Sequence, residues 1–585
     1  MDSTTPPPGQ KPMEGHDCAH CHGHGNMACK GCLLVVYCKR ECQVAHWKEH
    51  KQHCKSPLIK ESWQPEWAVQ NRTPQFIGAQ LMPSQPFGGN FHLLGNLPAF
   101  DIVKLSENEG GTYTKGLNLL FAASGDLRNA ITSVISLPIE YQHKTAVVIN
   151  DLSPHVVVRN VIITLLALAA PDDARTVECM LHVWYSAFIT SQDVDLLREK
   201  VHPLVLAVVD SPANAHMPAM ANLAHTWKFG SNTCRLEMEK GAWIFLKFSL
   251  SVAHGLSFQD AQHRRSSVTL ANERRDYFDR FYNEQSPSAR VCMQRYREDG
   301  LLLPFGAERS EFKVPNPTFF QLLPQYFGVH KWPLNDGASP LSGWDLQELV
   351  SSNLGPATND IYGKLHHHVK HKLSKFVARL QTQKFAFHFL NVDADELCQC
   401  LGDQRFDRIE SANIADNCYL GVGRVLEALG PLLRGSKHNP NATLITLFMN
   451  AIPAMAHQFP DRSAHGDATQ KTFKYYKISH IPTTTHDPTM ISVLTAKSLL
   501  QDSEKYFSRY MKEFEIETLE KHSTELVEGG MVIKKKHTII DKLPYGLKIP
   551  FGRPGYKEEF HARLAAGLSG TERYMEWKRK PDGAK

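Results

Sequence analysis

The sequence has no apolar run long enough to cross a bilayer. Its longest strongly apolar stretch, Val161 to Ala170, reaches about half of the ~20 residues that a spanning helix needs. It also has little excess charge. A net +5 over 585 residues is too small to argue for a nucleic-acid or anionic-membrane partner. The opening residues, Met1 to Pro12, are polar and proline-rich, without the apolar core of a secretory leader. There is no repeat and no long low-complexity tract, which excludes a solenoid. Beyond residue 54 the cysteines are few and scattered: Cys179, Cys234, Cys292, Cys398, Cys400 and Cys418. Such scatter suits a reducing compartment and excludes a disulfide framework. These absences lead us to expect a soluble intracellular protein. With 42% hydrophobic and 21% charged residues the chain has ample material for a core, and its length predicts roughly three or four domains.

The remaining cysteines are concentrated near the start. Cys18, Cys21, Cys29, Cys32, Cys38, Cys42, His50 and Cys54 follow the pattern Cys-x2-Cys, x7, Cys-x2-Cys, x5, Cys-x3-Cys, x7, His-x3-Cys. Eight soft ligands in 37 residues suit two tetrahedral zinc ions, four ligands each. A segment this short cannot bury a hydrophobic core, so the metals must supply its folding energy. The rival is a disulfide knot, but seven cysteines would leave one thiol unpaired, whereas seven with His50 make eight. If Gln43 to Cys54 is helical, Cys42, His46, His50 and Cys54 lie on one stripe, and His46 competes with His50 for metal. His16, His20, His22, His24 and His53 read as solvated or supporting groups.

From Cys18 to Cys54 the chain resembles the MYND zinc finger without an insertion, including Tyr37-Cys38 and the ending Trp47-Lys48-Glu49-His50-Lys51-Gln52-His53-Cys54. The resemblance implies interleaved ligands, one ion on Cys18, Cys21, Cys38 and Cys42 and the other on Cys29, Cys32, His50 and Cys54. It favours His50 over His46. It also implies a protein-docking module that takes proline-containing peptides, with Gln43 and Trp47 at the contact positions. An indole beside a polar amide suits a polyproline ligand. The alternative for Trp47 is a packing residue in a small core.

Further on, two distant segments carry an α/β signature. In the first, Leu117 to Ala123 reads as a buried strand. Ser124-Gly125-Asp126 turns the chain, and a helix runs from Leu127 until Pro138 ends it. A second strand, Thr145 to Ile149, finishes in Asn150-Asp151. Ser153 and Pro154 then open a helix to Ala170. Strand, glycine turn, helix, strand, acid is the order of a nucleotide-binding crossover. In the second segment, Phe385 to Leu390 reads as a strand, followed by Asp393-Ala394-Asp395-Glu396-Leu397, then Phe406-Asp407-Arg408-Ile409-Glu410, a helix near Val422 to Leu433, and a strand Ala442 to Phe448. This resembles the middle and late strands of class I methyltransferases. The resemblance implies S-adenosylmethionine as cofactor, with Gly125 in the first turn, Asp151 at the ribose and Asp393 or Asp395 near the adenine. Against it, the first turn holds one glycine where such enzymes place several, and each carboxylate is equally explained as a helix cap. From about Phe91 to Val209, with Leu97-Pro98-Ala99-Phe100-Asp101 and Gly125-Asp126-Leu127-Arg128-Asn129, the chain also resembles an uncharacterised domain of fungal MYND-finger proteins, related to a metazoan dynein-arm assembly factor.

The rest reads as helical. Ser286-Pro287 starts a helix that Gly300 stops, decorated by Arg290, Arg295 and Arg297. Ile361, Leu365, Val369, Leu373, Phe376 and Leu380 make one apolar stripe. His366, His367, His368 and His371 lie mostly off it, on a face read as solvated. Phe507, Tyr510, Met511 and Phe514 form another stripe, and Lys534-Lys535-Lys536 and Lys578-Arg579-Lys580 read as surface patches.

The expected architecture is α/β: a small two-zinc MYND finger followed by a Rossmann/methyltransferase-like doubly wound sheet with long helical insertions. The expected division is a disordered segment 1–17, the finger 18–54, a proline-containing linker 55–90, the first part of the Rossmann-like domain 91–225, a mainly helical insertion 226–380, the second part 381–490 and a helical C-terminal region 491–585. The expected function is an adaptor or scaffold whose finger docks a protein partner through a proline-rich segment. The alternative is an S-adenosylmethionine-dependent methyltransferase targeted by its finger. The Asn-His-Ser-Cys segment of SET-domain methyltransferases is absent from the sequence.

Overall fold

The computed structural model describes residues 17–77, 86–321, 332–353, 355–476, 478, 484, 486–521 and 530–580. The segment 1–17, expected to be disordered, lies outside these residues except for Asp17, and so does Pro83 of the expected linker.

The described strands are β1 (Met27–Ala28), β2 (Val36–Tyr37), β3 (Leu117–Phe121), β4 (Thr145–Asn150), β5 (Phe188–Ile189), β6 (Asn222–Phe229), β7 (Asn232–Glu239), β8 (Val314–Pro315), β9 (Phe385–Leu390), β10 (Arg408–Glu410), β11 (Thr443–Phe448), β12 (Met531–Ile533) and β13 (Arg573–Arg579). β1 pairs with β2 inside the finger, and β5 with β8. The other nine form one sheet in the order β12-β13-β11-β10-β3-β4-β9-β7-β6.

The middle of this sheet is parallel. β3 pairs with β4 from Leu117↔Thr145 to Phe121↔Ile149, and with β10 from Leu119↔Arg408 to Glu410↔Phe121. β9 extends the sheet beyond β4, and β11 beyond β10. Strands from the 385–448 region therefore join those of 117–150 in a single sheet. The near-continuous apolar runs of β3, β4 and β11 explain why, since a parallel strand is buried on both faces. Leu119, Phe121, Val147, Ile149, Phe387 and Phe389 pack into one core, while Leu120, Val148, Ile409, Leu444 and Phe448 pack into a second. The helix Pro154–Ala169 is apolar on nearly every side and buried along most of its length, as expected for a helix enclosed between layers. Among the described residues no helix is long and apolar enough to cross a membrane.

Several segments read as helical also contribute strands. β6 and β7 form an antiparallel hairpin whose second strand runs parallel to β9. β13, with β12 outside it, closes the opposite edge antiparallel to β11. β13 escaped the sequence reading because its residues are polar, Arg-Tyr-Met-Glu-Trp-Lys-Arg. Its Glu576 is fully buried and accepts from the backbone N–H of Thr538, Ile539 and Ile540. Lys534, expected on the surface, is its ion-pair partner at 2.7 Å.

The arginines of the helix Pro287–Asp299 differ likewise from the decorative role expected of them. Arg290 donates to the carbonyls of Leu58 and Lys60, Arg295 to Phe305 and Arg297 to Asp336. Gly300 stops that helix in the left-handed region at φ 72°. After the finger, the described chain folds onto the helix Arg275–Asn283. Trp67 is buried against Phe76, which packs on Tyr277, and Arg72 grips Asp276 with a two-pronged contact of 2.6 and 2.8 Å.

Candidate metal centre

The finger is a short hairpin followed by the helix Arg40–Cys54. The turn around Cys18 is closed by Cys18 N–H to Gly23 O and His22 N–H to Cys18 O, the next one by Leu33 N–H to Cys29 O. The hairpin pairs Met27 with Tyr37 and Ala28 with Val36, and the helix delivers Cys42, His50 and Cys54 one turn or more apart. Two four-residue sets result: Cys18, Cys21, Cys38 and Cys42, then Cys29, Cys32, His50 and Cys54. Within each set the ligand atoms all lie within 4.8 Å of one another.

The spacings fit zinc. With Zn–S near 2.3 Å and Zn–N near 2.0 Å, the edges of a ligand tetrahedron are about 3.8 Å between sulfurs and about 3.6 Å between sulfur and nitrogen. The Sγ atoms of Cys21 and Cys38 are 3.5 Å apart, those of Cys38 and Cys42 3.5 Å, and those of Cys29 and Cys54 3.8 Å; Cys32 Sγ stands 3.5 Å from His50 Nε2. The geometry thus interleaves the ligands as the resemblance implied. It also separates the two candidate histidines. His46 Nδ1 meets the Tyr37 hydroxyl at 3.0 Å and belongs to neither set. Burial, reinforced by His46 and His53, holds the His50 imidazole down to about 4, so it is neutral and has a lone pair to give. Burial, then the charges of Cys29 and Cys54, push the Cys32 thiol well above its ordinary range. Neighbouring thiolates resist ionising together, and a divalent cation reverses that balance.

The finger is clamped to the rest of the protein. Leu34, Val35 and Tyr37 are buried in the main core. Cys32 O accepts from Ser288 Oγ at 3.2 Å and Asn359 Nδ2 at 3.3 Å, and Leu33 O accepts from Asn359 N–H at 3.1 Å. His53 meets Phe305 edge-on at 5.3 Å. Gly306 lies so close that a Cβ there would stand 2.9 Å from Val35 and 3.1 Å from Ala19. The opposite side of the finger helix is open. Gln43 and Trp47 are half-buried, one turn apart, and Val44 between them is 65% exposed. The Trp47 ring rests edge-on against the ligand His50 at 5.9 Å, with Lys55 Nζ 5.8 Å from its centre.

The cofactor candidates meet at the carboxyl ends of the parallel strands. Asp151 Oδ2 accepts from Gly125 N–H and Oδ1 from Ser153 N–H, both at 2.9 Å. Desolvation pushes this carboxyl up to about 6 against the pull of those two N–H groups. Asp393 follows the neighbouring strand β9 and caps the short turn Ala394–Glu396. Asp126, after the Gly125 turn, takes the N–H of Arg128 and its guanidinium on Oδ1 and Gly95 N–H on Oδ2. Phe100 N–H then goes to Asn129 Oδ1 and Ile102 N–H to Ser133 Oγ. Residues 95–102 therefore lie along the first turns of the helix Arg128–Ser136.

Sequence reasoning missed two groups. Glu410, at the end of β10, is buried and pushed up to about 7 by desolvation; its Oε1 accepts from the N–H of Ala412, which has φ 49°. His366, read as part of a solvated face, is 5% exposed and meets Glu178, 188 residues earlier. No local spacing announces either.

Comparison with known proteins agrees with this geometry. Residues 18–54 match the family described as MYND finger, and residues 93–189 match the Domain of unknown function (DUF4470). Among curated proteins the chain is similar to Ubiquitin C-terminal hydrolase 15 of Oryza sativa subsp. japonica, 48% identical over 42 residues, which is 7% of this chain and 4% of that protein. The chain thus spans about 4% of the length of that relative. No solved structure matches. The chain therefore carries a MYND zinc finger over residues 18–54 and a DUF4470 domain over residues 93–189.

Proposed function

We propose that this protein is an adaptor whose zinc finger docks a proline-containing segment of a partner protein on Gln43 and Trp47. The observation that carries this reading is the two-sidedness of the finger helix. One side is committed to metal and to the body of the protein, while Gln43, Val44 and Trp47 face outward. A half-open indole beside an amide offers a flat apolar ledge and a hydrogen-bonding group to an extended polyproline-type chain. The match to the rice hydrolase is confined to 42 residues, 4% of that protein, and carries no argument for hydrolysis by this chain. The test is capture of proline-rich peptides by the full chain. Trp47→Ala should weaken it by about 1–3 kcal/mol, the cost of losing an interface anchor, with both finger zincs retained. Loss of zinc together with binding would make Trp47 a structural residue and end the docking proposal.

A second reading, an S-adenosylmethionine-dependent enzyme, is favoured by strand order. Numbered along the chain, β3, β4, β9, β10 and β11 lie as 3-2-1-4-5, the order of a doubly wound nucleotide-binding sheet, whose ligands sit where the order reverses. That point falls between β3 and β10. Against the enzyme, both oxygens of Asp151 already hold backbone N–H groups, and Asp126 and residues 95–102 occupy the first helical turn beyond Gly125. Calorimetry with S-adenosylmethionine on the full chain separates the readings. Binding lost in Asp151→Ala supports the enzyme, and no heat at millimolar ligand supports the adaptor.

A further inference from the structure

Beneath the finger lies a cavity of about 470 Å³, bounded on the finger side by Asp17, Leu34 and Val36 and on the other by Glu178, His182 and His366. The last three converge from two helices. Glu178 and His182 stand one turn apart on Thr176–Tyr185, hence on one face, and His366 comes from Ile361–Thr382. Their ligand atoms lie within 4.8 Å of one another. Glu178 Oε2 is 3.2 Å from His366 Nε2 and 3.7 Å from His182 Nε2.

We propose that Glu178, His182 and His366 form a third metal site, two imidazoles and one carboxylate, which binds a divalent transition-metal ion of the zinc class with one coordination position open to this cavity.

The surroundings support the donor set. His182 Nδ1 is engaged by the buried Ser186 hydroxyl at 3.0 Å, and that oxygen also accepts from Leu302 N–H at 3.2 Å. A ring nitrogen fixed in this way turns the other nitrogen toward the ligand position, as outer-sphere partners of metal-bound histidines do. The edge of Phe312, 4.8 Å from the His182 ring, restricts it further. The buried His366 ring turns Nε2, and not Nδ1, toward Glu178. Lys370, one turn beyond His366, holds Glu178 Oε1 at 2.7 Å. That leaves Oε2, the oxygen nearest both imidazoles, for metal. Two nitrogens and one oxygen suit zinc and its neighbours in the transition series. Three protein ligands with a fourth position left to water or a small ligand is the pattern of open zinc sites, unlike the closed four-ligand sets of the finger.

The test uses the full chain and the metal alone. Equilibrated with buffered micromolar zinc and freed of loose metal by gel filtration, the wild type should carry three zincs by mass spectrometry of the elements, and His366→Gln and Glu178→Gln two each. Cobalt added to the two-zinc protein should give visible bands without the near-ultraviolet sulfur-to-cobalt transition, and both variants should lose them. Glu178 is partly exposed, so its variant carries the test if His366→Gln fails to fold. Two zincs in the wild type, or a third that persists in Glu178→Gln, would overturn the proposal.

Discussion

If the finger is clamped to the body, loosening the clamp should speed zinc release without touching a ligand. Asn359→Ala is the suitable perturbation. Its side-chain nitrogen donates to Cys32 O at 3.3 Å and to Ser288 Oγ at 3.2 Å, while the backbone bond from Asn359 N–H to Leu33 O survives the substitution. Asn359 is itself exposed while its partners Cys32 and Ser288 are buried, and two neutral hydrogen bonds lost there cost roughly 1–3 kcal/mol in all. Cys32 O keeps Ser288 as a donor, which sets the expectation toward the lower end, about 1–2 kcal/mol. Zinc leaves the second set only when the turn Cys29–Leu33 opens, so the open population should rise by the same free energy, about 5- to 30-fold at ~1.4 kcal/mol per decade. Stopped-flow release to a chromogenic chelator measures this directly, with the zinc content of the untreated variant as control. Release within twofold of wild type would refute the clamp and leave the ions alone to hold the finger.

The ligand assignment predicts that His50→Ala lowers the finger's zinc content from two to one, whereas His46→Ala keeps both, its imidazole being engaged with Tyr37; elemental analysis decides. Buried His155, between Phe91 and Phe245, is held down to about 4 by burial. Its folded value lies below the unfolded ~6.5, so its contribution is intact above 6.5 and is lost as pH falls from there toward 4. At pH 5 the loss is at most about 2 kcal/mol, and His155→Leu should flatten the urea midpoint between pH 7 and pH 5. Glu576→Ala should destabilise the β13 edge by about 3–5 kcal/mol, because it leaves three backbone donors unpaired and Lys534 without its carboxylate, with the Thr443 and Thr538 hydroxyls beside it; an unchanged thermal transition would contradict the burial.

What the sequence disclosed depended on whether the physical cause was local. The finger ligands and the strands β3, β4 and β11 follow from spacing and continuous apolarity, each confined to a few residues. β7 was within reach. Asn232 to Glu239 alternates between buried and more open positions, and Gly230-Ser231 joins it to β6 as a two-residue turn with Gly230 at φ 57°. β13 was not, since its buried charges Arg573 and Glu576 find their partners Glu504 and Lys534 only in the folded chain. The same holds for Arg290, Asn359 and His366, whose partners Leu58, Cys32 and Glu178 lie 232, 327 and 188 residues away. A long-range polar contact leaves no periodicity behind.

The clamp bears on how such a finger would recruit a partner. A module on a free tether loses its own rotational freedom when it docks, in addition to ordering the peptide, and both losses subtract from affinity. Here the first loss is incurred during folding. Leu34, Val35 and Tyr37 are sunk in the main core, and the carbonyls of Cys32 and Leu33 are held by Ser288 and Asn359, so Gln43 and Trp47 stand at a fixed place on a rigid body. Trp47 also leans on His50, a ligand of the second ion. Peptide capture and metal occupancy are then linked: a peptide that packs on the indole stabilises the zinc-loaded finger, and zinc loss removes the support beneath the indole. On the adaptor reading the large domain contributes by holding the finger still. Its crevice is already lined by Asp126, Gly95 and Arg128, and a sheet whose first turn is filled by its own chain gains rigidity from the same contacts that stand against a nucleotide there.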